Sequence, residues 1–199
     1  MSQPDTLVLK QAIQQMQQRG FLFLPGLTDQ EIHLAENRWN FRFPPDLRAF
    51  LQIALPAPRE SHHIEHKAFP NWRSTDQEDI LYIQYRMNWP LDTILWDVEY
   101  NAYWMDGWGA RPEDSEEARK ITTHQIQNAA RLIPVFAHHY LPAEPYEVGN
   151  PVFSVRGFDT IQYGVDLVNY LSQEFHLEEA PTIKKNARPI PVWGDLESK

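Results

Sequence analysis

The chain has 199 residues, of which 42% are apolar and 23% charged, a length and mixture typical of one globular domain with a sizeable core. Its formal charge of −9 argues against a nucleic-acid ligand, which needs clustered Lys and Arg, and favours a basic partner instead. Because there is no cysteine, no signal-like start and no apolar run near the ~18 residues of a membrane span, we expect a cytoplasmic protein without disulfides, thiolate chemistry or a membrane anchor.

Three consecutive helices are predicted at the start of the chain. Apolar residues recur at helical spacing from Leu7 to Arg19, which indicates a short amphipathic helix. Thr28 and Glu31 form a capping box ahead of a second helix. Pro44-Pro45 suit the entry of a third helix, which is predicted to end before Pro56.

The middle of the chain is predicted to combine a loop, a helix and two strands. Ala57 to Asn71 contains Pro and His without periodicity and is interpreted as a loop, and Asp79 to Met87 is predicted as a helix. From Thr93 to Glu99 apolar and polar residues alternate, which is typical of a half-buried strand. A second strand is predicted around Tyr103-Trp104.

The last third is predicted to hold two helices and three strands. Asp114 caps a helix that runs to about Arg131, and Asp166 opens a C-terminal helix. Pro134 places the first strand at an edge or at a strand start. The strands are predicted at Leu132 to Phe136, at Val152 to Val155 and at Thr160 to Tyr163, the last two as a hairpin. Residues 181–199 are interpreted as a tail along the surface of a single domain that spans residues 1–180.

The stretch from Met87 to Ala110 is unusual in composition, with four Trp and four acidic residues but no Lys or Arg. On the predicted strand Asp97 and Glu99 face the same side, as the acid and base of a glycosidase or two ligands of a divalent metal would. A solvated strand face, or a carboxylate that caps a neighbouring turn, explains the same pair. Acids two residues apart are common, and no third ligand is evident.

Histidine and serine give weaker signals. His62, His63 and His66 cluster in the predicted loop, where flanking prolines favour solvated side chains over a metal site. His138 and His139 follow a predicted strand, where packed or hydrogen-bonded imidazoles are the usual outcome. The sequence has no Gly-x-Ser-x-Gly elbow, no Gly-rich phosphate loop and no His-Glu-x-x-His motif, so we expect no catalysis, no cofactor and no metal.

Short motifs follow one another along most of the chain, from Thr28 to Phe175. They are Phe43-Pro44-Pro45-Asp46-Leu47-Arg48-Ala49-Phe50-Leu51, Phe69-Pro70-Asn71-Trp72-Arg73, Asp97-Val98-Glu99-x-Asn101, Trp104, Trp108-Gly109-x-Arg111-Pro112, Leu132-Ile133-Pro134-Val135-Phe136 with His138, Tyr140-Leu141-Pro142, Gly149-Asn150-Pro151-Val152-Phe153-Ser154-Val155 and Asp159-Thr160-Ile161-x-Tyr163-Gly164-x-Asp166-Leu167. In this order they resemble the SUKH superfamily, and the later motifs resemble a bacterial branch of it.

The resemblance implies an α+β fold in which N-terminal helices pack on a bent, mainly antiparallel sheet, with a C-terminal helix. Members present a concave face to partners, and they include bacterial immunity proteins that neutralise nuclease or other toxins and a fungal regulator of cell-wall synthesis. The resemblance therefore implies a non-catalytic protein-binding module, with a basic toxin domain as the partner in the immunity case. A hydrolase that uses Asp97 and Glu99, a regulatory scaffold role and the oligomeric state are left open.

A partner-binding surface is predicted from the residue types that dominate interfaces, in the segments that carry the resemblance. For the three Trp among them, filling the core is an equal alternative. Because strand alternation turns Asp97 and Glu99 away from the core, a double alanine variant is expected to fold nearly as stably as the parent. The predicted surface consists of Trp72, Arg73, Asp97, Glu99, Trp104, Trp108, Arg111 and Tyr140.

Overall fold

Helices and two antiparallel sheets make up the fold, which confirms the predicted α+β class and its C-terminal helix. The computed structural model describes residues 3–57, 69–178 and 186–196. The helices are α1 (Thr6–Gln18), α2 (Asp29–Trp39), α3 (Pro45–Ile53), α4 (Gln77–Tyr100), α5 (Ser115–Asn128), α6 (Leu167–Glu174) and α7 (Trp193–Leu196). The strands are β1 (Phe23–Pro25), β2 (Ala54–Pro56), β3 (Leu132–Phe136), β4 (His139–Pro142), β5 (Val152–Arg156) and β6 (Asp159–Gly164).

The three predicted N-terminal helices are confirmed. The capping box of α2 is complete, since the Glu31 N–H donates to Thr28 Oγ1 over 3.2 Å and the Thr28 N–H donates to Glu31 Oε2 over 2.7 Å. Pro45 lies in the first turn of α3, where its missing N–H costs no helical hydrogen bond. The sequence does not predict β1 and β2, which are three residues each and pair with one another before α2 and after α3.

The four-stranded sheet is a meander with the order β3-β4-β5-β6 and antiparallel neighbours. The predicted strand around Pro134 and the predicted hairpin are both confirmed, and β3 lies at an edge of the sheet, where proline is tolerated. The sequence does not predict β4. All four of its residues are buried, so β4 lacks the apolar and polar alternation that signals a strand.

The second half of α4 differs from the prediction. The predicted helix from Asp79 to Met87 is right, but the strand predicted at Thr93 to Glu99 is wrong, because the helix continues through this segment to a length of 24 residues. Ile94 and Val98, four residues apart, are buried on one helical face, whereas Trp96 is 55% exposed. The apparent alternation therefore comes from a helix with one buried face and an exposed aromatic residue.

Pro90 lies inside α4 without ending it. Proline lacks the N–H that would bind the carbonyl of Arg86, four residues earlier. The buried hydroxyl of Tyr140, on β4, donates a 2.9 Å hydrogen bond to that carbonyl. The sheet thereby supplies the donor that the helix lacks.

Tyr140→Phe is expected to lower the free energy of unfolding by about 1–2 kcal/mol, because the Arg86 carbonyl then stays buried without a donor. Pro90→Ala restores the helical N–H, so the same Tyr140→Phe change should cost less than half as much in that background. Urea unfolding of the four proteins in this double-mutant cycle measures the coupling. Equal costs in the two backgrounds would show that the hydroxyl does not replace the missing donor.

Two hydrophobic clusters lie on opposite faces of the four-stranded sheet. One joins α1, α3 and α6 to the sheet, and the other joins α4, α5 and α7 to it. In the second cluster Trp193 is buried and its Nε1 donates to the carbonyl of Ala130 over 2.7 Å. The expectation of a surface tail is therefore wrong for residues 190–196, of which Ile190, Trp193 and Leu196 are buried. No helix within the described ranges is long and apolar enough to cross a membrane.

Candidate functional site

Two residues of the predicted binding surface lie in the interior. Trp72 packs edge-on against Phe41 and Phe43, with ring centroids 5.6 and 5.2 Å away. Tyr140 is fully buried. Core filling, the alternative for Trp72, is what the structure shows, and the surface position predicted for both residues is wrong.

Arg73 holds the framework together near the start of α2. Its Nε donates to Glu31 Oε1 over 2.5 Å, and its Nη2 donates to the carbonyls of Pro25 and Gly26 over 2.9 Å each. The Arg73 guanidinium, followed by the Thr28 N–H, lowers the pKa of Glu31 to about 2. Arg73 therefore ties the segment before α4 to the connection between β1 and α2.

Asp97 and Glu99 do not form a pair. Two residues along a helix correspond to a rotation of about 200° around its axis, so their side chains lie on nearly opposite faces. The prediction that both acids face one side is therefore wrong. Asp97 Oδ2 accepts the Phe158 N–H over 2.8 Å, and its Oδ1 accepts the Asn101 side-chain amide over 2.7 Å. Glu99 accepts from Arg119 over 3.0 Å. Asp97 is therefore a carboxylate that caps a neighbouring turn.

No strand forms around Tyr103-Trp104. The segment after α4 instead folds back onto the end of the helix, where the Tyr103 N–H donates to the Asp97 carbonyl over 3.3 Å. Trp104 Nε1 donates to a carbonyl five residues later over 2.8 Å, and its ring lies edge-on to Trp108 at 5.4 Å. Arg111 Nη2 donates to the carbonyl of Val98 over 2.9 Å. The structure thus gathers five of the eight predicted residues at this end of α4, and each of them makes a contact within the fold. They are Asp97, Glu99, Trp104, Trp108 and Arg111.

A cleft of about 560 Å³ opens between α4 and two turns of the four-stranded sheet. One wall is a stripe of residues three or four apart along α4, which share one helical face. The facing wall comes from the β3–β4 and β5–β6 turns. The helix contributes Tyr85, Arg86, Trp89, Thr93, Trp96 and Asp97. The facing wall contributes Ala137 and His138 from the β3–β4 turn, together with Arg156 at the end of β5 and Gly157 in the turn after it. We call this site the α4 cleft.

Arg86 is the most unusual residue of the α4 cleft. It is 6% exposed, and its Nε and Nη2 have no hydrogen-bond partner in the described parts of the chain. Its guanidinium carbon lies over the rings of Trp89, Tyr85 and Tyr140, at 5.0, 5.7 and 5.7 Å from their centroids. These rings offset part of the cost of burying a cation, but they do not accept the N–H groups in the guanidinium plane.

The α4 cleft is basic although the protein is acidic. Arg156 is exposed on the wall opposite Arg86, and among the described residues no carboxylate lies within 4.0 Å of either guanidinium. Burial, followed by the charges of these two arginines, lowers the pKa of His138 to about 4, so its imidazole is neutral at pH 7. Asp97, the acid of the cleft, has both carboxylate oxygens engaged.

Hydrogen bonds fix the two walls of the α4 cleft to each other. Thr93 Oγ1 accepts the Gly157 N–H over 3.1 Å, beside the bond from Phe158 to Asp97. Trp89 Nε1 donates to a carbonyl of β5 over 2.8 Å. At Gly157, where φ is +65°, a Cβ would lie 1.9 Å from Asp97 Oδ2, so glycine alone allows this close approach.

Exposed aromatic side chains lie next to the α4 cleft. Trp96, Tyr100 and Tyr103 are 55%, 65% and 52% exposed, and we call them the aromatic ridge. Trp96 and Tyr100 are neighbours with ring centroids 5.4 Å apart, and Tyr103 stacks on Phe158 at 5.3 Å. The ridge therefore continues the wall of the cleft across the end of α4.

Histidine does not assemble a metal site in the described ranges, where no group of three or more His, Cys, Asp or Glu is placed to hold an ion. His62, His63 and His66, predicted in a loop, lie outside the described residues. His138 and His139 pack together with ring centroids 4.5 Å apart, which confirms the prediction of packed imidazoles.

The surface predicted from the sequence includes Asp97 but misses six other residues of the α4 cleft that have a charged group or a large ring. They are Tyr85, Arg86, Trp89, Trp96, His138 and Arg156. The spacing of Tyr85, Trp89, Thr93 and Trp96 places them on one face of a helix, but only if that helix continues through Pro90. The position of His138 opposite Arg86 depends on sheet packing, for which the sequence has no local signal.

The chain was compared with protein-family models, with curated proteins and with solved structures, and nothing matches it in any of the three.

Proposed function

We propose that the chain is a non-catalytic binding module that holds a protein partner on the aromatic ridge. The exposure of Trp96, Tyr100 and Tyr103 at one end of a long helix carries this proposal. Such rings bury a large area at a low entropy cost, and they are frequent hot spots of protein interfaces. Neighbouring exposed aromatic side chains typically mark an interaction site.

Charge favours a partner with a basic rim. Asp92 is exposed one helical turn before Trp96, whereas Glu99, one turn after it, pairs with Arg119. The protein as a whole has a formal charge of −9. Complementary charge accelerates association and selects among partners. A protein surface with an apolar centre and surrounding Lys or Arg therefore fits the ridge.

The most specific form of this function is immunity, in which the protein neutralises a basic toxin domain such as a nuclease. Support for this form comes from the resemblance to the SUKH superfamily, which also allows a regulatory scaffold. The separation of Asp97 and Glu99 on α4 disfavours the hydrolase alternative, because two carboxylates must flank one bond in such an enzyme.

Photo-crosslinking from a position on the ridge tests this proposal. Benzoylphenylalanine replaces Tyr100 in one protein and the exposed Leu34 of α2 in a control. In lysate of the cells that produce the protein, we expect a basic protein to crosslink from position 100 and not from position 34. Tyr103→Ala in the same protein should weaken this capture about tenfold.

The outcomes that contradict the proposal are equally specific. Capture of the same proteins from both positions would show that the ridge does not select its partner. Capture from position 100 that Tyr103→Ala leaves unchanged would remove the aromatic side chains from the interface.

A further inference from the structure

We propose that the α4 cleft binds a carboxylate through Arg86, and that an aromatic group carries this carboxylate. This inference goes beyond protein binding on the aromatic ridge, because it assigns a ligand chemistry to the α4 cleft, which shares only Trp96 with the ridge. The residues that decide it, Arg86 and Arg156, are not part of the ridge.

Arg86 is shielded from water without having gained an acceptor. A guanidinium has five N–H donors, of which Nε holds one and Nη2 two, and both nitrogens are without a partner within the described chain. Buried polar groups are nearly always hydrogen-bonded, and a buried charge without an acceptor is costly. An arginine in this state on the wall of a cleft indicates a place for an anion that is not part of the chain.

The unpaired nitrogens of Arg86 suit one shape of anion. Nε and Nη2 form one edge of the guanidinium plane, and this edge matches the two oxygens of a carboxylate. Both atoms lie beneath the wall of the cleft, out of reach of water, so the carboxylate contacts them once the side chains that cover them move aside. Arg156 adds positive charge from the facing wall, and His138 adds a neutral imidazole. Asp97 lines the same cleft, but within the described chain its carboxylate forms no ion pair with either arginine.

The remainder of the ligand must fit among aromatic rings. Tyr85 and Trp89 meet edge-on with centroids 5.5 Å apart, and Trp96 lines the same wall. A volume of about 560 Å³ lies within the range of small-molecule sites and accommodates a substituted benzene ring. An aromatic acid uses both the charge and the rings, whereas inorganic phosphate leaves the rings without a contact.

Calorimetric titration with 3-phenylpropionate at low ionic strength tests the proposal. The uncharged 3-phenylpropionamide and inorganic phosphate are the comparison ligands. We expect saturable binding of the acid at one site, and binding at least tenfold weaker for both comparison ligands. Equal binding of acid and amide would overturn the role of the carboxylate. Phosphate that binds as tightly as the acid would overturn the role of the aromatic group.

Variants connect this binding to the cleft. Arg156→Gln changes an exposed residue and should weaken acid binding several-fold at an unchanged Tm. Arg86→Lys keeps the charge but loses the two-donor edge, and should weaken binding about tenfold or more. Arg19→Gln, at an exposed arginine after α1, is the control and should bind like the parent. Unchanged affinity in Arg156→Gln would refute the site even if Arg86→Lys did not fold.

The carboxylate has two possible sources, which peptides distinguish. A short peptide that ends in Phe with a free C-terminus is titrated beside its amidated form. Tighter binding of the free-acid peptide than of 3-phenylpropionate assigns the group to the C-terminus of a protein, and weaker binding assigns it to a free aromatic acid. If the acid binds but crosslinking does not depend on position, the carboxylate site is retained and the proposed protein-binding ridge is rejected. If crosslinking depends on position but the acid does not bind, the ridge is retained and the carboxylate site is rejected.

Discussion

Asp97→Ala is expected to lower the free energy of unfolding by about 2–3 kcal/mol. The carboxylate accepts the Phe158 N–H over 2.8 Å and the side-chain amide of Asn101 over 2.7 Å. The bond from Phe158 is partly buried, so alanine leaves that N–H without an acceptor, and a hydrogen bond to a charged group contributes about 1.5–3 kcal/mol. Urea unfolding followed by circular dichroism measures the loss.

Glu99→Ala is the matched control for Asp97→Ala. Glu99 pairs with Arg119 at the surface, with side-chain exposures of 37% and 43%, and such pairs typically contribute less than about 1 kcal/mol. Asp97→Asn should fall between the two, since its amide oxygen can still accept the Phe158 N–H. Small and equal losses for both alanine variants would contradict the capping role of Asp97, and would restore the expectation that both acids are expendable.

Gly157→Ala is expected to destabilise the protein by about 3 kcal/mol or more. Its Cβ would lie 1.9 Å from Asp97 Oδ2 and 3.1 Å from the Thr93 carbonyl, at a φ of +65° that also strains alanine. Relief of the clash requires the β5–β6 turn to move away from α4, which breaks the hydrogen bonds from Gly157 and Phe158.

The same change at Gly107 provides a control, because a Cβ there would have no neighbour within 4 Å. Gly107→Ala should cost less than about 1 kcal/mol. Thermal unfolding of the two variants gives the comparison. A loss at Gly157 no larger than that at Gly107 would show that the turn is not held against the helix.

The elements that the sequence predicts correctly carry local signals. Thr28 and Glu31 cap α2 as their spacing indicates, and Asp166 caps α6 by accepting the Asn169 N–H. Pro134 places β3 at the sheet edge. In each case neighbouring residues of the chain make the decisive hydrogen bond or remove one, so short-range patterns suffice.

The errors arise where a distant residue determines the local structure. Pro90 and the alternation that follows favour a break and a strand, yet the Tyr140 hydroxyl from β4 satisfies the Arg86 carbonyl and the helix continues. The sequence has no signal for a donor fifty-four residues away. The prediction that Asp97 and Glu99 share one face depends on the strand predicted there, so it is wrong for the same reason.

The sequence does not predict the α4 cleft, because residues that are distant in sequence form it. Arg86, His138 and Arg156 come from α4 and from two turns of the sheet, and none of them belongs to a motif. Within the described residues no carboxylate pairs with Arg86, and this is a property of packing alone. Composition did indicate an aromatic segment around Trp96, but the strand prediction assigned that side chain to the core.

The side-chain Nε–H resonance of Arg86 gives the most direct measurement of the proposed site. In ¹⁵N-labelled protein, its loss in Arg86→Lys assigns the resonance. Titration with 3-phenylpropionate should shift it saturably, with the affinity found by calorimetry, because the Nε–H gains a carboxylate acceptor, and the uncharged amide should leave it in place. An Arg86 resonance that does not move while the acid binds would place the ligand elsewhere and contradict the carboxylate site in the α4 cleft.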